Sequence, residues 1–365
     1  MTSRLVVVGG GILGTMHAIE GVRLGYEVVH LERDWAPRGA SVRNFGLIWV
    51  SGRAPGAELD LALEARDRWE AIAAEVPGTG FRPIGSLTLA RSPGELAALE
   101  ALVAAGDAKR RGVSLLEPAE VRAVNPALQG EVLGGLLCER DAAVEPRLTL
   151  GALRGHLEQS GAYRFLPGTE AREVLAHQVV DQHGVSHKGD LVVCCPGARP
   201  SGAIADALRD APLRRVRLQM FETEPFDGAL STAVADGDSL RYYPAFAPSR
   251  TALGEQDELA AAWRAQLLMV HRLGGHLTIG DTHAYEEPFS FDLADAPSRH
   301  LLGVASSLLG TELPPVERRW AGVYCECTEP GALYYRVEIE PGVFVVSGPG
   351  GRGMTMSPAI AAASF

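Results

Sequence analysis

The chain has 365 residues, 46% of them hydrophobic and 22% charged, which provides for a large core and excludes wholesale disorder. A net charge of −11 and a pI near 5.4 disfavour nucleic acid or an anionic membrane as partner, although a few arginines can still make a local positive pocket. No apolar run approaches the roughly 20 residues of a membrane span, and no signal-peptide pattern is present, so no membrane insertion and a cytoplasmic location are expected.

In chain order, Arg4–Val8 reads as a continuous apolar strand. Gly9-Gly10-Gly11-Ile12-Leu13-Gly14 then opens a helix reaching about Leu24, Gly25 closes it, and Tyr26–Leu31 is a second strand ending at Glu32. This is a βαβ unit. Helices are expected at Ala57–Val76, Pro93–Ala105 and Glu255–Arg272. Strands are expected at Ser86–Leu89, Leu213–Glu222, Leu240–Tyr243, His276–Ile279, Tyr334–Glu338 and Val343–Ser347. A second strand-to-glycine element falls at Asp190–Gly197, and Ser357–Phe365 reads as the start of a C-terminal helix. The order fits an α/β fold in which a Rossmann-like domain (1-85, 140-205 and 320-365) interleaves with a sheet-and-helix substrate domain (86-139 and 206-319).

The five cysteines, Cys138, Cys194, Cys195, Cys325 and Cys327, are odd in number and lack a C-x-x-C pair, so neither a disulfide framework nor a thiolate zinc site is expected. Cys194 and Cys195 sit in an apolar run and are expected to be buried and inert.

Gly9-x-Gly11-x-x-Gly14 carries the strongest signal. The first glycine makes the turn, the second lets a pyrophosphate approach the backbone, and the third lets helix and strand pack closely. The helix N-terminus presents N–H groups and a positive dipole end to phosphate. Glu32, placed to bond a ribose diol, disfavours a 2′-phosphate and hence NADP. The position of the motif at the start of the chain, the Gly197 element and the C-terminal glycine cluster favour FAD over NAD.

Several further segments resemble the D-amino-acid oxidase, glycine oxidase and sarcosine oxidase superfamily of flavoproteins. They are Gly39–Gly46, Glu145-Pro146-Arg147, Gly168–Ala171, Asp190–Ala198, Arg319-Trp320-Ala321-Gly322 and Gly348–Pro358. The resemblance implies non-covalent FAD held by Gly9, Gly11, Ile12, Leu13, Gly14, Glu32 and Arg33 and wrapped by Ala40, Ser41, Arg43, Asn44, Gly46 and Leu47. Gly197 would also bind the cofactor, the strand near Ala171 would touch the adenine, and Gly350, Gly351, Arg352, Gly353, Met354 and Thr355 would reach the flavin ring. Arg217–Met220, Leu240–Pro244 and Gly280–His283 resemble, more narrowly, a subfamily associated with aminophosphonate breakdown.

The resemblance departs at two positions that bear on substrate. The segment after Trp320-Ala321-Gly322 lacks the arginine that clamps a carboxylate in glycine oxidase relatives, and Thr355 stands where sarcosine oxidase relatives carry a lysine. A different anion is therefore expected, met by Arg241, Arg352 or Arg43. Tyr243 and Tyr324 are candidate pocket residues, Trp49 a candidate flavin cover, and His276 and His283 structural residues. No protein base is required or evident.

The expected reaction is hydride transfer from the carbon of a small anionic amine to the flavin, giving an imine and then an aldehyde, with oxygen or another acceptor taking the electrons. The alternatives are an amino-acid oxidase or dehydrogenase acting on glycine, sarcosine or a D-amino acid, and an FAD-binding subunit of an electron-transfer complex. Oligomeric state is not legible in the sequence.

Overall fold

The computed structural model describes residues 3–365. Its first sheet has six strands in the spatial order Tyr335–Glu340, Val343–Ser347, Leu191–Cys194, Arg4–Val8, Glu27–Glu32 and Tyr163–Pro167. All neighbours are parallel except the first pair. A parallel sheet is covered on both faces, which is why its strands read as unbroken apolar runs. The two-residue alternation sorts them. Val6, Val192, Cys194, Val343 and Val345 pack with Ala171, Val179 and Ile204 on one face. Leu5, Val7, Val193, Cys195 and Val346 pack on the other with Leu13, Ala18, Met356 and Ile360.

The helix Ile12–Arg23 begins at the glycine loop, as its motif demands. Ser357–Phe365 falls largely inside the helix Gly353–Ala362, which buries Met356 and Ile360 beside Leu59 and Leu63 of the helix Ala57–Glu75.

The second sheet has eight strands in the order Val316–Cys327, Leu213–Pro225, His276–Gly280, Leu268–His271, Ala233–Ala235, Ser86–Ala90, Gly134–Cys138 and Val113–Leu116. Alternation decides its two faces as well. Phe221, Met269, Ile279, Leu87 and Leu89 turn to the helix Asp295–Leu309. Met220, Leu268 and Val270 turn to Phe45, Leu47, Trp49 and Tyr243. The six-stranded sheet is thus assembled from the beginning, middle and end of the chain. The strand Val316–Cys327 pairs with Leu213–Pro225 along its length, so a boundary at 320 would cut it, and the chain rejoins the first sheet only at Tyr335.

Two sequence expectations are corrected. Glu255–Arg272 is not one helix. Its helical part is Glu258–Trp263, after which Arg264 takes a left-handed backbone (φ +45°) and Leu268–His271 becomes a strand between two others. Tertiary pairing overrides the local propensity there. Leu240–Tyr243 is not a strand but the end of a helical turn, Ser239–Tyr242. Among the described residues no helix is long and apolar enough to cross a membrane.

Two buried histidines brace the glycine-loop region. His30 Nε2 lies 3.0 Å from the Gly9 carbonyl and its Nδ1 2.9 Å from the Tyr163 hydroxyl. His17 Nδ1 meets the Leu13 carbonyl at 2.7 Å. Burial lowers His30 to about 3 and His17 to about 4, from an ordinary 6.5. Below about 6.5 the unfolded chain therefore binds protons that the folded chain does not, so stability falls as pH drops toward 4, by up to about 1.4 kcal/mol per pH unit for each ring. Burial raises Asp236 to about 7, which acts in the opposite sense, so the histidine effect is read as a difference between proteins. The drop in urea midpoint from pH 7 to pH 5 is expected to be smaller in His30→Asn than in wild type; equal drops would contradict this role.

Candidate active site

A cavity of about 550 Å3 runs between the two sheets. At one end it is lined by Gly9, Gly10, Gly11, Glu32 and Arg33, with Thr169, Ala171 and Gly197 nearby on the wall. Gly9 has φ +108°, and a Cβ there would stand 2.2 Å from the Cys195 carbonyl oxygen. Gly14 does not reach the cavity. A Cβ on it would stand 1.9 Å from the Gly9 oxygen, which is the close strand–helix packing expected of the third glycine. Glu32 accepts from Gly10 N at 2.5 Å and from Asp34 N at 2.8 Å, fixing the loop from below, and Arg154 donates to the Gly10 carbonyl. Gly11, the N-cap residue, has no side chain to cap the helix, and Ser41 Oγ accepts from Ile12 N at 2.9 Å instead.

The segment from Ala40 to Leu47 forms the cavity's flank. Asn44 holds it by donating to the Ala40 and Ser41 carbonyls and accepting from Gly46 N at 2.6 Å. Arg43 lines the cavity and donates to the Ala321 carbonyl at 2.8 Å. Gly46 is a turn residue of this segment and not part of the wall.

At the other end, Trp49, Arg53, Tyr242, Tyr243, Gln266, Asp281 and Tyr324 converge with Met220, Leu268, Gly351 and Met354. The Trp49 and Tyr243 rings lie 5.6 Å apart, and the Tyr242 and Tyr324 hydroxyls 3.3 Å apart. Gly351 sits against these hydroxyls; a Cβ on it would be 3.2 Å from that of Tyr242. Burial pushes both tyrosines up, so they stay protonated donors. Asp281 accepts from Gln266 Nε2 at 3.1 Å, and burial pushes its carboxyl up, toward the neutral form.

Arg53 is a site residue that sequence reasoning misses. It is 4% exposed and donates from Nε to the Trp49 carbonyl at 2.9 Å. Its Nη1 is 3.8 Å from Glu58, and the same Glu58 oxygen accepts from Arg352 Nε at 2.8 Å. Two guanidinium groups thus share this one carboxylate, and burial pushes the other acid at this end, Asp281, toward its neutral form. No motif marks Arg53, because its position depends on contacts distant in sequence.

The arginines expected to meet an anion are placed differently. Arg241 lies outside the cavity: in a helical turn the alternation of a strand fails, and its side chain turns to Asp238 at 3.0 Å. Arg352 is held away from the wall by Glu58. Thr355 is also off the wall. Its hydroxyl accepts from Trp49 N at 2.9 Å and donates to the Leu47 carbonyl at 3.2 Å, so it positions Trp49. Tyr243, Tyr324 and Trp49 line the cavity. His276 and His283 do not.

Residues 4–364 match the family described as FAD dependent oxidoreductase, DAO. The chain belongs to this family. DAO-family likeness extends to curated relatives. A thiamine biosynthesis oxidoreductase of Rhizobium etli is 30% identical over 237 residues, 63% of either chain. One of the subunits of opine oxidase from Rhizobium meliloti is 26% identical over 239 residues, 62% of this chain and 64% of that one. The matches thus span under two thirds of those relatives' lengths. Among solved structures, glycine oxidase from Geobacillus kaustophilus superposes with TM-score 0.77 at 19% identity, covering 100% of this chain and 94% of that one. L-proline dehydrogenase from P. horikoshii gives 0.78 at 20% identity, covering 99% and 91%. These two share the fold.

The chain's own residues fit the family's FAD. The helix N-terminus and the Gly9–Gly11 loop suit a pyrophosphate, and Glu32, at the end of its strand, suits a ribose. Trp49 Nε1 and Gln266 Oε1 are buried without a hydrogen-bond partner, and both residues line the cavity, so the far end retains polar capacity for a bound group. Cys325 lines the cavity too, but burial raises its thiol to about 11. A protonated thiol is a poor nucleophile. Gly14→Ala is expected to force helix and strand apart at a cost of about 1–3 kcal/mol. The purified variant should carry a clearly lower flavin-to-protein absorbance ratio than wild type; an equal ratio would contradict the packing argument.

Proposed function

We propose that this chain oxidises a small primary or N-methylated amine bearing an anionic group, with an aminophosphonate such as 2-aminoethylphosphonate as the foremost substrate. When bound, FAD supplies the two-electron acceptor for the C–H bond beside the nitrogen. The substrate carbon would give up hydride and the nitrogen a proton, and water would hydrolyse the resulting imine to an aldehyde, with release of ammonia from a primary amine or of the other amine from an N-methylated one.

Arg53 carries this reading. It is the buried cation of the cavity's aromatic end, only partly neutralised by Glu58. A guanidinium fork matches phosphonate oxygens, and burial strengthens the attraction. Tyr242 and Tyr324 stand beside it as hydroxyl donors. Met220, Leu268 and Trp49 make the remaining walls apolar. Such walls disfavour the charged ammonium and favour the neutral amine that hydride loss requires.

Two other readings keep specific support. A carboxylate would also suit Arg53, and two similar folds are named glycine oxidase and L-proline dehydrogenase. Against it, Tyr324 and Thr355 stand at the positions of the usual carboxylate anchors, and Thr355 is committed to the backbone of Leu47 and Trp49. The opine oxidase relative is named as one subunit of its enzyme, which supports a chain that works within a larger complex. Anaerobic titration of the yellow protein separates these readings. Bleaching by 2-aminoethylphosphonate is expected. Bleaching by glycine, sarcosine or a D-amino acid alone would favour the amino-acid reading, and no bleaching by any of them would favour the complex-forming reading.

A further inference from the structure

A second cavity of about 350 Å3 adjoins the first. The two share Tyr242 and Gln266, whose side chains form the partition between them. Three arginines line the second cavity, Arg241, Arg250 and Arg264, against a single acid, Asp238. Asp238 is already paired with Arg241 at 3.0 Å. Arg250 meets only the backbone carbonyls of Tyr242 and Tyr243, at 3.1 and 3.2 Å, and has no carboxylate partner among the described residues. Arg264 reaches Glu286 at 3.5 Å, with both side chains largely exposed, so solvent screens that pair. The lining thus carries a formal excess of two positive charges on a chain whose net charge is −11.

The cavity grades from wet to dry. Arg250 and Arg264 are exposed at its mouth, and Gln266 is buried at its base. Tyr242 at the partition is stacked on His283, ring centroids 4.4 Å apart, and His283 Nδ1 is held by the Arg264 carbonyl at 3.1 Å. The unpartnered Gln266 Oε1 also lies at this partition. A cationic mouth leading to a two-residue wall shared with a reaction cavity is the arrangement that concentrates an anion before it enters.

We propose that this cavity is an oxyanion-binding antechamber, which captures the phosphonate or carboxylate of an incoming substrate on Arg250 and Arg264 and hands it past Tyr242 and Gln266 to Arg53. The hand-over rests on the anionic-amine reading above; the oxyanion site does not.

Inorganic phosphate, titrated calorimetrically into the FAD-loaded protein, is the probe. Binding by wild type is expected, weakened about tenfold or more in the double variant R250Q/R264Q. R264Q alone should show a smaller loss in the same direction; its exposed side chain makes it the guard against a folding defect. The bimolecular rate constant for flavin reduction by 2-aminoethylphosphonate should fall with added salt in wild type, and lose most of that dependence in the double variant. No phosphate binding by wild type, equal binding by wild type and double variant, or binding lost only in R53Q would overturn the antechamber. Phosphate binding that needs Arg250 and Arg264, in a protein whose flavin no amine reduces, would retain the oxyanion site and refute the substrate reading instead.

Discussion

One buried carboxylate organises the chemical end of this molecule. Asp141 accepts from Val50 N at 2.5 Å, Ser51 N at 3.1 Å, Ser51 Oγ at 2.7 Å and Ser86 Oγ at 2.6 Å. Burial pushes its carboxyl up, and these four hydrogen bonds oppose the shift. From the other side, the fully buried Arg111 donates to the carbonyls of Val50, Ser51 and Arg53. The segment Trp49–Arg53 is therefore clamped through both its N–H and its C=O groups. The clamp also ties it to Ser86 in the eight-stranded sheet. Removing either side chain, Asp141 or Arg111, leaves buried backbone groups of this segment without a hydrogen-bond partner, at about 1–3 kcal/mol for each group. The orientations of Arg53 and Trp49 both depend on it.

Around that clamp the two sheets divide the labour. Two strands of the six-stranded sheet end at the Gly9 loop and at Glu32, which line one end of the cavity. The eight-stranded sheet turns Met220 and Leu268 to the cavity and Phe221 and Met269 to the helix behind it. Strand alternation alone thus gives one sheet a substrate-facing surface and a structural one. The helix Gly353–Ala362 joins the halves: Thr355 holds Trp49, and the Met354 and Thr355 carbonyls receive the Trp69 indole N–H.

What is legible in the sequence is local. The glycine loop, its flanking strands and Glu32 follow from spacing, because the motif's function resides in adjacent backbone. Tyr243, Tyr324 and Trp49 are reached by position and do line the cavity. Arg241 reads as a strand residue because Leu240-Arg241-Tyr242-Tyr243 has no helical signature. In the fold, those residues close a turn that Asp236 caps, accepting from Ser239 N at 3.2 Å. Arg53 is illegible for a complementary reason. Asp141 and Arg111 lie 90 and 60 residues from Ser51, so nothing near Arg53 announces that its backbone is fixed. The helix Asp295–Leu309 is absent from the expected elements, although its buried Leu301, Ala305, Leu308 and Leu309 and the following Gly310 are ordinary helix signals.

The central claim is that a clamped, buried Arg53 receives the anionic group of an amine substrate beside FAD. Rapid anaerobic mixing of wild type and Arg53→Gln with 2-aminoethylphosphonate and with a neutral amine of similar size tests it most directly. The account predicts that the substitution weakens the apparent affinity for the phosphonate about 10–100-fold, as expected for loss of a buried charge-assisted contact, and leaves the neutral amine nearly unaffected. An equal loss for both amines, or none for either, would contradict it.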